Sequence, residues 1–115
     1  MHEMPVVMNV VEMIDNYARE NDVREVRKVV MEIGEIAMVM PNYFRNFWAP
    51  VIERSEYCKN AELQIDIIPG IGQCRKCEHD FNIEKNNGVC PNCGTVENFI
   101  ILSGRDVQIR EIEVI

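Results

Sequence analysis

The sequence predicts an α+β fold, in which two helices pack on a mostly antiparallel sheet of three or four strands and a small cysteine-rich module is inserted. Two segments repeat apolar residues at helical spacing, a third alternates apolar and polar residues, and four of the five cysteines form two CxxC pairs late in the chain. The order helix, strand, helix, strand, with a further strand after an interruption, is typical of helices that cover one face of a sheet.

The first helix is predicted from Pro5 to about Asn21. Proline suits the first helical position because its missing N–H would have no partner there. The polar Asn21-Asp22 ends the pattern. The apolar positions recur at helical spacing: Val7, Val10, Val11, Ile14, Tyr17 and Ala18.

A strand is predicted after this helix, over Val29–Ile33, and Gly34 ends it. The alternation then resumes at Ile36, Met38 and Met40, which predicts a second strand or an extended return.

The second helix is predicted from Pro41, and Pro50 is expected to kink it or to limit it to its first half. Its apolar face has five members: Phe44, Phe47, Trp48, Val51 and Ile52.

Two later segments read as strands. Residues 61–67 alternate cleanly, and Pro69-Gly70 with Gly72 should break the pattern. The last strand starts near Asp106. The alternation of apolar and polar residues shifts by one position between Ile109 and Ile112, which predicts a β-bulge near Arg110-Glu111.

The domain organisation is predicted to be discontinuous. Residues 70–104 have their own cysteines and too few large apolar residues for a separate core, so they should form an inserted module. The main α+β domain is then residues 1–69 plus 105–115. We expect this domain to contain the N-terminal metal site that is described below.

Four cysteines carry the most specific signal: Cys74 and Cys77 form one CxxC pair, Cys90 and Cys93 form the other, and twelve residues separate the pairs. Each pair lets one turn present two thiolates, and two such turns complete the four-sulfur tetrahedron that Zn²⁺ accepts. The inserted module is therefore predicted to be a zinc ribbon. Because thiolates would fill every coordination position, this zinc would be structural.

Three other interpretations of these cysteines are iron in a rubredoxin-like site, a redox dithiol, and chance. His79 could replace one thiolate, but an exposed or supporting position is favoured because the second pair has no matching histidine. Cys58 stands apart and is predicted to be a buried, small apolar residue.

Composition excludes several function classes. The formal net charge of −7, with no basic patch between residues 71 and 104, argues against nucleic-acid binding. No apolar run approaches the ~20 residues of a membrane span, and no basic leader precedes an apolar stretch. We therefore expect a cytoplasmic protein without membrane or nucleic-acid partners.

The N-terminus begins with MHE. A free Met1 amine, the His2 imidazole and deprotonated backbone amides can offer Ni²⁺ or Cu²⁺ a square-planar nitrogen set. Pro5 has no amide proton, so amide ligation cannot continue past Met4. The positive end of the first helix disfavours a cation, unless amide deprotonation and the Glu3 carboxylate offset it.

MHE at the N-terminus, the α–β start and the two CxxC pairs together resemble the HypA/HybF family of nickel-insertion accessory proteins, which act in NiFe-hydrogenase maturation. The segment ELQIDIIPGIGQCRKC looks like the family's strand into its first zinc knuckle. The resemblance covers nearly the whole chain. It implies a nickel metallochaperone with Ni(II) as transient cargo at His2 and backbone nitrogens of the N-terminus, and structural Zn(II) at Cys74, Cys77, Cys90 and Cys93. From the residues themselves we add Met1 and Glu3 as expected nickel ligands.

The resemblance also implies partners, namely the GTPase HypB and the precursor of the hydrogenase large subunit. It implies a monomer, with a domain-swapped dimer through the hinge at residues 69–72 as the alternative. Members that serve urease can carry a histidine in both knuckles. This chain has one only at His79, which counts against a urease role.

A zinc-ribbon protein-interaction module with no nickel role is the competing hypothesis. An enzyme is not expected, because Gly70-Ile71-Gly72 lacks the lysine of a phosphate-binding loop. The only two histidines are His2 and His79, and no nucleophile–base set stands out around them.

Overall fold

The computed structural model describes residues 3–115; Met1 and His2 lie outside the described residues. Two helices and two three-stranded sheets confirm the α+β class. The strand orders are β2-β1-β6 and β4-β3-β5. The elements are α1 Glu3–Glu20, β1 Val26–Gly34, α2 Pro41–Ile52, β2 Glu62–Ile68, β3 Ile71–Cys74, β4 Asp80–Asn82, β5 Phe99–Ser103 and β6 Val107–Val114.

The first sheet has β1 at its centre. The N–H of Gly34, at the end of β1, donates to the carbonyl of Asp106, which precedes β6, so these two strands are antiparallel. The N–H of Glu35 donates to the carbonyl of Ile68 at the end of β2. The carboxyl ends of β1 and β2 therefore meet, as in a parallel pair connected through a helix, here α2. In the second sheet, β3 pairs antiparallel with both neighbours.

The chain divides into two compact units. Unit 1 is Met1–Glu32, Val39–Asp66 and Gln108–Ile115, and unit 2 is Ile33–Met38 and Ile67–Val107. The boundaries predicted after residues 69 and 104 separate domains that would fold independently. The division into compact units does not test independent folding, so these boundaries stay a prediction. None of the helices in the described range 3–115 combines the length and hydropathy that a membrane span requires.

The core of unit 1 is built by α1, α2 and β1, whose apolar faces are buried. The predicted face of α1 is confirmed, except that Tyr17 is 50% exposed. On the predicted face of α2, Phe44, Trp48 and Ile52 are buried, whereas Phe47 and Val51 are half-buried. The buried apolar residues of these three elements that lie in unit 1 are Val7, Val10, Val11, Ile14, Ala18, Val26, Val29, Val30, Met31, Phe44, Trp48 and Ile52.

The predicted strand over Ile36–Met40 is wrong. The N–H of Ala37 donates to the carbonyl of Gly34, which closes a turn directly after β1. Met38 is 91% exposed, so the alternation of Ile36, Met38 and Met40 does not mark the buried face of a strand. The side chain of Ile36 instead lies against Gly70.

The helix α2 continues past Pro50 to Ile52, so the proline does not limit it to its first half. Pro50 lies in the last turn of α2. It has no N–H to donate within the helix, and the helix ends two residues later. Pro41 occupies the start of the helix as predicted.

In the second sheet, Gly72 lies inside β3 rather than breaking it, and β5 was not predicted. A Cβ at Gly72 would approach side-chain atoms of Ile83 and Phe99 to about 3.0 Å, so glycine suits this crowded position. The predicted bulge at Arg110-Glu111 stays a prediction.

Candidate metal centre

The four predicted ligand cysteines come together in unit 2. The sulfur atoms of Cys74, Cys77, Cys90 and Cys93 all lie within 4.8 Å of one another. The shortest separations are 3.6 Å between Cys74 and Cys93 and 3.5 Å between Cys77 and Cys90. Four thiolates around one zinc at ~2.3 Å would lie about 3.8 Å apart, so the cluster has the dimensions of a tetrahedral zinc site.

Two similar turns, which we call the first knuckle (residues 74–79) and the second knuckle (residues 90–95), present these sulfurs. In each knuckle the residue after the second cysteine has a positive φ, +65° at Glu78 and +78° at Gly94. The N–H of that residue donates to the carbonyl of the knuckle's first cysteine, at 2.9 Å and 2.8 Å respectively. Glycine adopts this left-handed conformation without steric cost at position 94.

The two knuckles also close in the same way. The N–H of Cys74 donates to the carbonyl of His79, and the N–H of Cys90 donates to the carbonyl of Thr95, each at 2.9 Å. His79 and Thr95 therefore hold equivalent backbone positions. The side chain of His79 is exposed, and the four-residue metal-binding group contains cysteines only.

Aromatic residues support the cluster from one side. Cys74 and Cys90 are each 1% exposed, and they form a buried cluster with Phe81. Ile83 and Phe99 pack against this cluster, and the rings of Phe81 and Phe99 meet edge to face at 5.7 Å.

Hydrogen bonds reach three of the sulfurs. The amide Nδ2 of Asn92 donates to Cys77 Sγ at 3.4 Å, and the backbone N–H of Lys76 donates to Cys74 Sγ at 3.4 Å. Thr95 Oγ1 lies 3.1 Å from Cys93 Sγ. Neither Asn92 nor Thr95 was predicted from the sequence as part of the site.

These contacts separate the thiol pKa values. The Thr95 hydroxyl lowers the pKa of Cys93 to about 6, and the Asn92 amide lowers the pKa of Cys77. Burial raises the pKa of Cys90 by disfavouring its thiolate. A bound divalent metal would favour the thiolate form of all four cysteines.

Cys58 is not part of the cluster and is fully buried, as predicted. Burial raises the pKa of its thiol to about 11, so it stays protonated at neutral pH. The sequence did not predict its polar surroundings. Asp15 accepts hydrogen bonds from the Ser55 hydroxyl at 2.7 Å and from the Tyr57 N–H at 3.1 Å, and Cys58 Sγ lies 3.7 Å from the same carboxylate.

Glu3 is the one predicted nickel ligand among the described residues; Met1 and His2 lie outside them. The Glu3 side chain is 2% exposed, and its Oε2 accepts a hydrogen bond from the Met40 N–H at 3.0 Å. Met40 is the N-cap of α2 and makes no side-chain cap. Glu3 thus bonds the N-cap N–H, as a glutamate does within a capping box, but it does so from another helix.

A family model described as "Hydrogenase/urease nickel incorporation, metallochaperone, hypA" matches residues 1–114. The chain belongs to this HypA family. The chain is 34% identical over 114 residues to the hydrogenase maturation factor HypA of Trichormus variabilis, covering 99% of this chain and 96% of that protein. It is 36% identical over 112 residues to HypA of Francisella philomiragia, covering 97% of each.

Solved HypA structures have the same fold. The solution structure of the nickel metallochaperone HypA from Helicobacter pylori matches with a TM-score of 0.71 at 29% identity, over 99% of this chain and 97% of that one. A second HypA solution structure matches with a TM-score of 0.72 at 28% identity, over 100% and 97%. The predicted family and fold class are therefore confirmed, and the HypA family is one of metallochaperones rather than of catalysts.

Proposed function

We propose that this HypA-family chain is a nickel metallochaperone, which binds Ni(II) at its N-terminus and delivers it to the large-subunit precursor during NiFe-hydrogenase maturation. The family match carries the proposal, because it begins at residue 1 and so includes the MHE stretch. The Helicobacter pylori HypA, which has the same fold, is itself a nickel metallochaperone.

The proposed nickel ligands are the Met1 amine, the His2 imidazole, backbone amide nitrogens and the Glu3 carboxylate. Nitrogen donors of this kind suit square-planar Ni(II). The Glu3 carboxylate is buried at the start of α1. An ionised carboxylate there would offset the positive potential of the helix end, which otherwise disfavours a cation. One hydrogen bond from Met40 leaves further lone pairs on the carboxylate, since a carboxylate offers about four acceptor sites.

Zn(II) is the proposed metal of the four-cysteine cluster. The thiolates of Cys74, Cys77, Cys90 and Cys93 would fill a tetrahedral site and leave no position for water or substrate. Zinc would therefore stabilise unit 2 rather than catalyse a reaction. This role fits a chain that carries nickel without chemical turnover.

The GTPase HypB is the proposed accessory partner, and we propose a cytoplasmic monomer, with a domain-swapped dimer as the alternative. The net charge of −7 gives no electrostatic basis for binding nucleic acid or an anionic membrane surface. A chain that releases nickel to a partner needs an exchangeable site, and ligand exchange at the chain terminus would provide one.

Calorimetric titration of Ni²⁺ into the zinc-loaded protein tests the nickel site. His2→Ala should abolish nickel binding at the N-terminus, and so should one glycine added ahead of Met1, because it moves the free amine away from His2. His79→Ala is the matched control, since it removes the only other histidine and leaves the N-terminus unchanged. Glu3→Gln keeps an oxygen that can accept from Met40 but removes the charge, so we expect weakened binding with a normal fold.

Unchanged nickel binding in both His2→Ala and the extended chain would sink the metallochaperone proposal and leave a zinc-ribbon interaction module. Metal analysis of the same samples tests the second metal. One zinc per chain is expected, and replacement of any of the four clustered cysteines should reduce it. Iron in place of zinc would contradict the assignment.

A further inference from the structure

The four clustered cysteines are not equivalent. Cys74 and Cys90, the first cysteine of each knuckle, are 1% exposed, whereas Cys77 is half-buried and Cys93 is exposed. The cluster therefore has an apolar inner side, against Phe81, and an outer side that faces solvent. Reagents and competing ligands would reach the outer thiolates first.

Among residues 3–115, side-chain hydrogen-bond donors contact only the two outer sulfurs, those of Cys77 and Cys93. Asn92 Nδ2 contacts Cys77 Sγ at 3.4 Å, and Thr95 Oγ1 contacts Cys93 Sγ at 3.1 Å. A metal-bound thiolate can only accept, so the Thr95 hydroxyl must be the donor. Donation to a charged acceptor is among the stronger kinds of hydrogen bond.

Both donors belong to the second knuckle. Asn92 and Thr95 occupy the positions that Lys76 and His79 hold in the first knuckle. Over residues 3–115, neither the Lys76 nor the His79 side chain donates to a sulfur of the cluster; Lys76 contacts one through its backbone N–H. The second knuckle thus supplies a side-chain donor to its own outer cysteine and, through Asn92, to that of the first knuckle.

We propose that Asn92 and Thr95 are positioning residues, which hold the outer thiolates in place as metal ligands, and that Cys93 is the ligand at which metal exchange begins. The proposal rests on the proposed zinc centre. Hydrogen bonds from such supporting residues fix ligand orientation, and their removal typically costs 10–100-fold in metal affinity. Cys93 is the one exposed cysteine of the four, so a competing ligand or reagent reaches it first.

The test uses the zinc-loaded, full-length chain and two readouts: the rate of zinc transfer to excess 4-(2-pyridylazo)resorcinol, and the order in which cysteines react with N-ethylmaleimide, mapped by mass spectrometry. Thr95→Val removes only the hydroxyl and keeps the side-chain shape. It should accelerate zinc transfer about tenfold, and Cys93 should be the first of the four modified.

Three further variants separate the hydroxyl from general destabilisation. Thr95→Ser keeps the donor and should transfer zinc at the wild-type rate. Asn92→Ala should accelerate transfer less than Thr95→Val, because its contact is longer. Asn86→Ala loses a side-chain bond to the Asn82 carbonyl in the same unit, with no contact to sulfur, and should leave the rate unchanged.

A wild-type rate in Thr95→Val, equal rates in Thr95→Val and Thr95→Ser, or first modification of a cysteine other than Cys93 would each overturn the inference while zinc remains bound. A wild-type chain that holds no zinc would overturn the proposed zinc centre, and the inference with it. Zinc stoichiometry therefore distinguishes the two failures.

Discussion

The two units of the chain differ in what their interiors contain. Unit 1 buries aliphatic and aromatic side chains from two helices and a strand, including Phe44 and Trp48. The buried cluster of unit 2 contains one aromatic residue, Phe81, and two of the metal-site cysteines. Segments this small bury too little apolar surface to fold without a cross-link or a metal.

Magnitudes support this contrast. Full burial of one large apolar side chain stabilises by about 1.5–3 kcal/mol, whereas structural zinc contributes an apparent ~10–16 kcal/mol in zinc-finger peptides. For unit 1 the stabilising free energy is distributed over many side chains. For unit 2 a single bound ion would contribute more than any one of its buried residues.

Removal of zinc should therefore have the largest effect. Chelation, or Cys90→Ser, is expected to unfold unit 2 and to leave unit 1 folded. Amide resonances of unit 2 in a ¹H–¹⁵N NMR spectrum should collapse to unfolded positions. Trp48, the only tryptophan, lies in unit 1 and donates to the Ala61 carbonyl at 3.0 Å, so its fluorescence should not change.

Cys58→Ala is the control for this experiment, because Cys58 is buried in unit 1 and lies outside the four-cysteine group. It should keep one zinc per chain. Dispersed resonances from unit 2 after complete zinc removal would show that unit 2 folds without its metal. A red shift of Trp48 emission would also contradict the prediction, since it would show that the units do not unfold separately.

Phe44→Ala should have the next largest effect, and it should fall on unit 1. Phe44 is fully buried, and its ring lies 6.3 Å from the Trp48 ring. Truncation of a buried phenylalanine typically costs about 3–5 kcal/mol, through lost burial and the cavity left behind. Urea denaturation followed by Trp48 fluorescence would measure the loss.

Tyr43→Ala is the matched control on the same helix, because Tyr43 is 50% exposed, and it should lower the unfolding free energy by about 1 kcal/mol or less. Zinc stoichiometry should stay at one per chain in both variants. Loss of zinc in Phe44→Ala at urea concentrations below its transition would show that unit 2 depends on the core of unit 1.

The regular parts of this fold could be predicted from the sequence, because burial imposes a period on them. The apolar face of α1 follows from that period. β2 forms close to where its alternating sequence predicts it, but its burial does not alternate and Ile67 is 49% exposed. The predicted strand over Ile36–Met40 failed because Met38 and Met40 are exposed, and exposed methionines can alternate without facing a core. The strand β5 was missed because its apolar run, Phe99–Leu102, has no alternation.

The site was predictable in part for a similar reason. Spacing within and between the CxxC pairs identifies the four cysteines, since one turn must present two sulfurs. No spacing rule identifies Thr95 or Asn92, whose side chains contact sulfur only because the knuckles are folded together. The bond from Glu3 to Met40 joins residues 37 positions apart and depends on how α1 and α2 pack.

The smallest expected effect comes from a carboxylate in unit 2, where charge supplements a small core. Glu35 Oε1 accepts from the Gly70 N–H at 3.1 Å and from Asn82 Nδ2 at 2.9 Å. These bonds, led by the one from Gly70, lower the pKa of Glu35 below its ordinary value of 4.5. Because the folded-state pKa is depressed, the stabilisation is present above about pH 4.5 and is lost as pH falls through the lower folded-state value.

Glu35→Gln should therefore lower the stability of unit 2 at pH 6 by about 1 kcal/mol or less, since the carboxylate is only half-buried and screened by solvent. The difference from wild type should shrink as the pH falls below 4.5. In wild type, the Gly70 amide resonance should titrate with a midpoint below 4.5, and in Glu35→Gln this titration should vanish. A Gly70 midpoint at or above 4.5 would show that these hydrogen bonds do not stabilise the charged form, and unit 2 would then depend on its metal and its few apolar contacts alone.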